Sequence, residues 1–225
     1  MRQLVLVCWA LLLPFGQGRA QNAVCLSEGG EAPVAGWDFF VSPGAASTII
    51  AQSTDPSTVH SGSGSVRTNG EPSRGKEFAK TCQGVITVDF WYLPGLGEST
   101  VATVRLWAPP GPNGPVDADE VLGLVLKNSD DGWFFRDSNG GGWFYTGLQY
   151  AGEYTHIVGT VNTETARYDL AIDGSPVALR IRIPNPRIAD GVGAITFESG
   201  RAAMGTDSYI DDLVIVESER HQPNE

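Results

Sequence analysis

The chain has 225 residues, a formal net charge of −11 and a hydrophobic fraction of 41%. That acidity argues against nucleic acid and anionic membrane surfaces as partners, since both would repel it. Its 28 glycines and 14 prolines are spread as punctuation rather than gathered in a linker, and no segment carries a sustained helical apolar stripe.

The first twenty residues read as a secretory signal peptide. Met1-Arg2-Gln3 is a short basic start, residues 4–15 are apolar, and Gly18-Arg19-Ala20 places small residues at the −3 and −1 positions of a cleavage site. The apolar run is broken by Pro14 and falls short of the roughly 20 residues that a membrane span needs. The expectation is a secreted protein without a membrane span. Cleavage would remove Cys8 and leave Cys25 and Cys82. In an oxidising compartment an even pair reads as a disulfide, with two buried free thiols as the alternative. Residues 21–217 are expected to form one domain, and residues 218–225 a polar tail.

Short runs rich in β-branched and aromatic residues follow in chain order. They occupy residues 36–41, 47–52, 63–68, 85–92, 100–107, 121–127 and 132–136. They continue at 142–146, 154–161, 166–173, 177–183, 194–198 and 209–216. Short strands separated by turn residues predict an all-β sandwich or barrel. Residues 71–83 and 108–119 read as surface loops. The stretch YTHIVGTVNTETARYDLAIDG from Tyr154 to Gly174 is a hairpin whose second strand closes on an Asp-Gly turn. Two similar strings, Gly132-Trp133-Phe134-Phe135 and Gly142-Trp143-Phe144-Tyr145, predict a second hairpin with matched aromatic strands. Within it Trp133, Phe135, Trp143 and Tyr145 are open to two readings, core packing or ligand stacking. Arg180 and Arg182 alternate with Leu179, Ile181 and Ile183, which marks a strand with one wet face and charges that discourage edge pairing.

Strand parity points to a candidate binding face. In residues 85–92, Ile86, Val88, Phe90 and Tyr92 share one side, and Val85, Thr87, Asp89 and Trp91 the other. In residues 101–107, Ala102, Val104 and Leu106 oppose Val101, Thr103, Arg105 and Trp107. The apolar sets must face the core. If the two strands are neighbours, Asp89, Trp91, Arg105 and Trp107 share a solvent face that combines indole platforms with a carboxylate and a guanidinium. Sugars suit such a face, stacking C–H surfaces on aromatics and bonding hydroxyls to planar charged groups. The alternative is an Asp–Arg pair with both tryptophans shielded by a loop.

Several segments resemble a known superfamily. VITVDFWYLPG (residues 85–95) resembles the strand before the Pro-Gly turn of laminin-G-like, concanavalin A-like jelly rolls, and the Tyr154–Gly174 hairpin resembles their His-containing strand and closing Asp-Gly. TVHSGSGSVRTNG (residues 58–70) and DSYIDDLVIVE (residues 207–217) resemble segments of sandwich carbohydrate-binding modules. The resemblance implies an all-β fold, an antiparallel jelly-roll β-sandwich of two sheets. It implies a polysaccharide or glycan partner and a lectin-like role. It also implies a structural Ca2+ near the terminal strand, with Asp211 or Asp212 as ligand, helped by Asp207; the alternative is an Asp that bonds the backbone of a neighbouring loop. Glucanases of this fold carry a Glu-x-Asp-x-Glu type strand, which this chain lacks. Asp117-Ala118-Asp119-Glu120 departs from it in residue type and spacing. No catalytic residues are therefore expected, and His156 beside Tyr154 reads as structural. A divergent hydrolase or lyase, or an adhesion module that binds protein, are the rival readings.

Overall fold

A computed structural model describes residues 23–30, 37, 39–40, 49–95, 101–110, 120–128, 132–136, 142–199 and 207–218. The first twenty residues and residues 219–225, assigned above to signal peptide and tail, lie outside this set.

The strands are β1 (Ala23–Glu28), β2 (Phe39–Phe40), β3 (Ile49–Ser53), β4 (Ser65–Cys82), β5 (Val85–Leu93), β6 (Val101–Trp107) and β7 (Glu120–Asn128). They continue with β8 (Gly132–Arg136), β9 (Trp143–Tyr145), β10 (Thr155–Asn162), β11 (Arg167–Ile172), β12 (Ser175–Arg182), β13 (Val192–Ser199) and β14 (Asp207–Ser218). All pairings are antiparallel, and they form two sheets. Sheet A runs β12-β11-β10-β5-β14, and the far edge of β14 is shared by β1 and the first part of β4, with β3 beyond. Sheet B runs from β2 through the second part of β4 to β13, β6, β7, β8 and β9. This is the expected jelly-roll β-sandwich.

Every run expected to be extended contains a strand, but two elements differ from expectation. β1 was not anticipated. Of residues 71–83, expected as a loop, all but the last belong instead to the long strand β4, which passes from sheet A to sheet B. Their polar, Gly- and Pro-containing composition gives a weak local β signal. Pairing with β13 on one side and β2 on the other overrides it. Gly75 is required there, because a Cβ would stand 1.8 Å from the carbonyl oxygen of Ile195.

Alternation sets the core as parity predicted. Ile86, Val88, Phe90 and Tyr92 of β5 and Ala102, Val104 and Leu106 of β6 are buried between the sheets. Phe90 and Tyr92 meet Phe197 of β13, at 5.5 and 5.9 Å between ring centroids. Full burial of each such side chain contributes about 1.5–3 kcal/mol. The Tyr154–Gly174 hairpin is β10 and β11, closed at one end by the side chain of Asn162, which accepts from the backbone N–H of Glu164 and Thr165. Asp173 and Gly174 both have positive φ (48° and 74°), the backbone of a type I′ turn. Cys25 and Cys82 form the expected disulfide across 57 residues, a closure worth about 4 kcal/mol in the chain-entropy account.

Candidate functional site

The two strands that carry the predicted face are not neighbours. β5 lies in sheet A between β10 and β14, whereas β6 lies in sheet B between β13 and β7. Asp89 and Trp91 therefore point out of one side of the sandwich, and Arg105 and Trp107 out of the other. Parity was right for each strand, but the four residues do not meet. Trp107 also departs from expectation in exposure: it is only 2% exposed, and its indole N–H donates to Thr196 Oγ1 at 2.8 Å.

On sheet A, Trp91 is occupied. The ring of His156 from β10 stacks on it at 4.7 Å, and that of His60 at 3.7 Å, each within 16° of parallel. His60 is held from the β14 side, its backbone N–H donating to Asp211 and its Nδ1 lying 3.0 Å from Asp212. Since β5 runs between β10 and β14, the two imidazoles cover opposite faces of the indole. A sugar ring has no free indole face to stack on here. His156 Nε2 lies 2.6 Å from Asp89 Oδ1, so the Asp89 carboxylate is bound to imidazole rather than to Arg105.

A bulge in β14 explains how Asp211 and Asp212 both reach this loop. The register with β5 shifts between Asp211 and Val214, and Asp212 takes a left-handed φ of 49°. Aspartate tolerates that region better than most residues. Asp211 is buried and accepts from the backbone N–H of His60, Ser61 and Asp212, while Asp212 accepts from the Ser61 hydroxyl. Burial nonetheless holds the Asp211 carboxyl above its usual range. Asp207 pairs with Arg67 at 2.8 Å. The three aspartates thus bond to different partners: Asp207 to Arg67, Asp211 to the loop backbone and Asp212 to Ser61. Among the described residues only Cys25, Cys82 and Glu217 converge to metal-ligand spacing, and the two cysteines are spent on the disulfide.

The outer face of sheet B carries a different constellation. Read across strands, one row is Glu198, Thr103, Leu126, Phe134 and Tyr145, and the next is Thr196, Arg105 and Gly123. Arg105 donates to Glu120 Oε2 at 2.8 Å through Nη1 and to Glu198 Oε2 at 3.1 Å through Nη2. The register of β6 with β7 skips Leu124, so Leu124 and Val125 both turn inward and Gly123 faces out opposite Arg105. The indole of Trp143 covers that glycine: a Cβ on Gly123 would come within 2.8 Å of Trp143 Cη2. The Arg136 guanidinium lies 5.4 Å from the Trp143 ring. Tyr145, paired with Phe134 at 5.4 Å, is 46% exposed. The aromatic residues of the second hairpin divide between the core and the outer face. Trp133 is core, packed on Tyr92 and Tyr150, and Trp143 and Tyr145 belong to the outer face.

Sequence reasoning linked none of Glu120, Glu198 and Trp143 to Arg105. The only available signal was the polar parity of each within its own strand. A three-charge cluster whose side chains are 20–32% exposed still reaches water and adds little to folding, since surface ion pairs contribute about 0–1 kcal/mol each. Chemically it offers planar donors and acceptors beside an aromatic surface.

No family model matches the chain, and no curated protein does. Solved structures do match. A carbohydrate esterase from the Shiga toxin-encoding bacteriophage phi24B aligns with a TM-score of 0.54 at 11% identity, over 84% of this chain and 100% of its own. The cellulose induced protein Cip1 aligns with a TM-score of 0.52 at 16% identity, over 84% and 96%. The alginate lyase Aly36B aligns with a TM-score of 0.50 at 14% identity, over 88% and 98%. The fold is a concanavalin A-like jelly roll. This chain spans only 15% of the length of a sialidase that it also matches. At such identities the likeness is one of fold.

Proposed function

We propose that this protein is a secreted, non-catalytic glycan-binding jelly roll whose binding face is the outer surface of sheet B. The observation that carries the reading is the Glu120–Arg105–Glu198 cluster in register with Gly123, over which Trp143 lies. Hydroxyl pairs match planar carboxylate and guanidinium groups, and sugar C–H faces match the aromatic row of Phe134, Trp143 and Tyr145. Arg105 keeps the role expected of it. Asp89 and Trp91 leave the site because their partners are His156 and His60. The names of two similar structures, a carbohydrate esterase and an alginate lyase, support a carbohydrate partner. Affinity gel electrophoresis against a polysaccharide panel tests the reading. Retardation by one or more polysaccharides is expected for the wild type, and Glu198→Gln and Trp143→Ala should each weaken it about tenfold, the loss of one charge-assisted bond or one stacking surface. Retention unchanged in both variants would remove it.

A second reading, polysaccharide cleavage, draws on the same two glutamates, brought from β7 and β13 to one guanidinium. Release of reducing ends or unsaturated uronate products by the wild type, lost in Glu120→Gln and Glu198→Gln, would replace binding by catalysis.

A further inference from the structure

A concavity lined by charged and polar side chains lies on the outer face of sheet A. It encloses about 300 Å³ between Val85, Thr160, Asn162, Arg167, Asp169 and Arg180, a volume at the lower end of small-ligand pockets. It stands roughly 20 Å from the Trp91 stack, six residues along β5 at about 3.3 Å each.

The backbone here is built around one arginine. Arg180 sits where the register of β11 with β12 is irregular, and it takes a left-handed φ of 55°. That conformation is unfavourable for a non-glycine residue. Two side chains hold it in place. The carboxylate of Asp169 accepts the Arg180 backbone N–H, and Arg167 Nη1 donates to the Arg180 carbonyl at 2.6 Å. Side-chain bonds thus sustain the strain at an exposed position outside the core. Neither guanidinium has a carboxylate partner among the described residues, whereas Arg67, Arg105 and Arg187 each do.

We propose that this pocket binds a carboxylate-bearing sugar unit, a hexuronate. The planar forks of Arg167 and Arg180 match a carboxylate. Asp169 lines the same pocket, and its negative charge disfavours a doubly charged phosphate relative to a monoanion. Its second oxygen accepts from a hydroxyl, and Thr160 and Asn162 bond further hydroxyls. A hydroxyl-rich monoanion meets all of these groups. The site uses sheet A residues only and stands apart from the binding face of sheet B.

The test is calorimetric titration of the full chain with a galacturonate oligosaccharide and with its carboxyl-reduced, neutral counterpart. The acidic form should bind the wild type about tenfold more tightly, as expected of a charge-assisted contact. Arg180→Gln and Arg167→Gln should each abolish that preference, and Glu198→Gln should leave it intact. The Arg180 side chain makes no bond to the fold among the described residues, so Arg180→Gln reads the site even if Arg167→Gln loosens the β11–β12 edge. Four results would overturn the proposal: equal affinity for both oligosaccharides, no binding of either, a preference that survives both arginine variants, or one abolished by Glu198→Gln. Competition by inorganic sulfate as effective as by the hexuronate would also overturn it, leaving a simple anion site.

Discussion

His60 stacks on Trp91 with 3.7 Å between ring centroids and 16° between planes. The contact fastens the segment between β3 and β4 onto the outside of sheet A. Tyr154 strengthens the attachment by donating to the carbonyl of Thr58 at 2.7 Å. Removing the indole should therefore free the loop rather than open the core. Trp91→Ala is expected to cost about 1–3 kcal/mol, less than the loss of a buried tryptophan. A His60→Ala/Trp91→Ala double-mutant cycle should give a coupling of about 0.5–1.5 kcal/mol. Amide exchange at residues 58–64 should accelerate in both single variants, while protection in β5 stays unchanged. Equal acceleration in β5 would show that the stack supports the sheet itself.

Asp211 makes the same loop pH-sensitive. Burial raises its carboxyl above the ordinary value of 3.8, and the backbone N–H groups of Ser61, His60 and Asp212 only partly oppose that. A carboxyl whose folded pKa exceeds its unfolded one takes up protons more readily when folded. Its contribution to stability is full below 3.8 and is lost as pH rises through the higher folded value. Urea denaturation of the wild type and Asp211→Asn, stepped upward from that pH, should show the wild type losing stability relative to the variant. The difference should then level off. A difference that grows in favour of the wild type across the same window would contradict the assignment.

Gly123 is the floor on which Trp143 rests. Its Cβ position lies 2.8 Å from the far end of the indole, so alanine forces the ring to shift without touching the backbone. Gly123→Ala should weaken polysaccharide retention several-fold and change folding stability by less than about 1 kcal/mol. Retention unaffected by a displaced Trp143 fluorescence signal would take that indole out of the binding face.

Gly75 and Gly174 separate two reasons for glycine. At Gly75 a Cβ would overlap the Ile195 carbonyl of the neighbouring strand, so Gly75→Ala should break the β4–β13 pairing and cost about 3 kcal/mol or more. At Gly174 nothing lies within 4 Å and only the positive φ of 74° opposes a side chain. Gly174→Ala should cost about 1 kcal/mol. Chemical denaturation of both variants reads the contrast, and similar costs would mean that β4 yields at the crossing.

Much of the fold was legible because strands have a period of two. Alternation in β5 and β6 assigned Phe90 and Leu106 inward and Asp89 and Arg105 outward, each correctly. The Asp173-Gly174 turn was readable because those residues accept the positive φ that a type I′ turn requires. The second part of β4 was not readable. Its extended conformation comes from hydrogen bonds to β2 and β13, and nothing in the local run from Glu71 to Gln83 demands it.

Which outward residues share a face is a different kind of question, and only tertiary structure answered it. Side-chain parity is decided within a strand by the backbone pleat, so the sequence alone determined that Asp89, Trp91 and Arg105 leave the core. Neighbourhood is decided by pairing between distant segments: β5 joins β10 and β14, and β6 joins β13 and β7. That pairing put Trp91 between His60 and His156, and Arg105 between Glu120 and Glu198. It depends on how both sheets bury their apolar sides together, a balance summed over the whole chain and written in no single stretch of it.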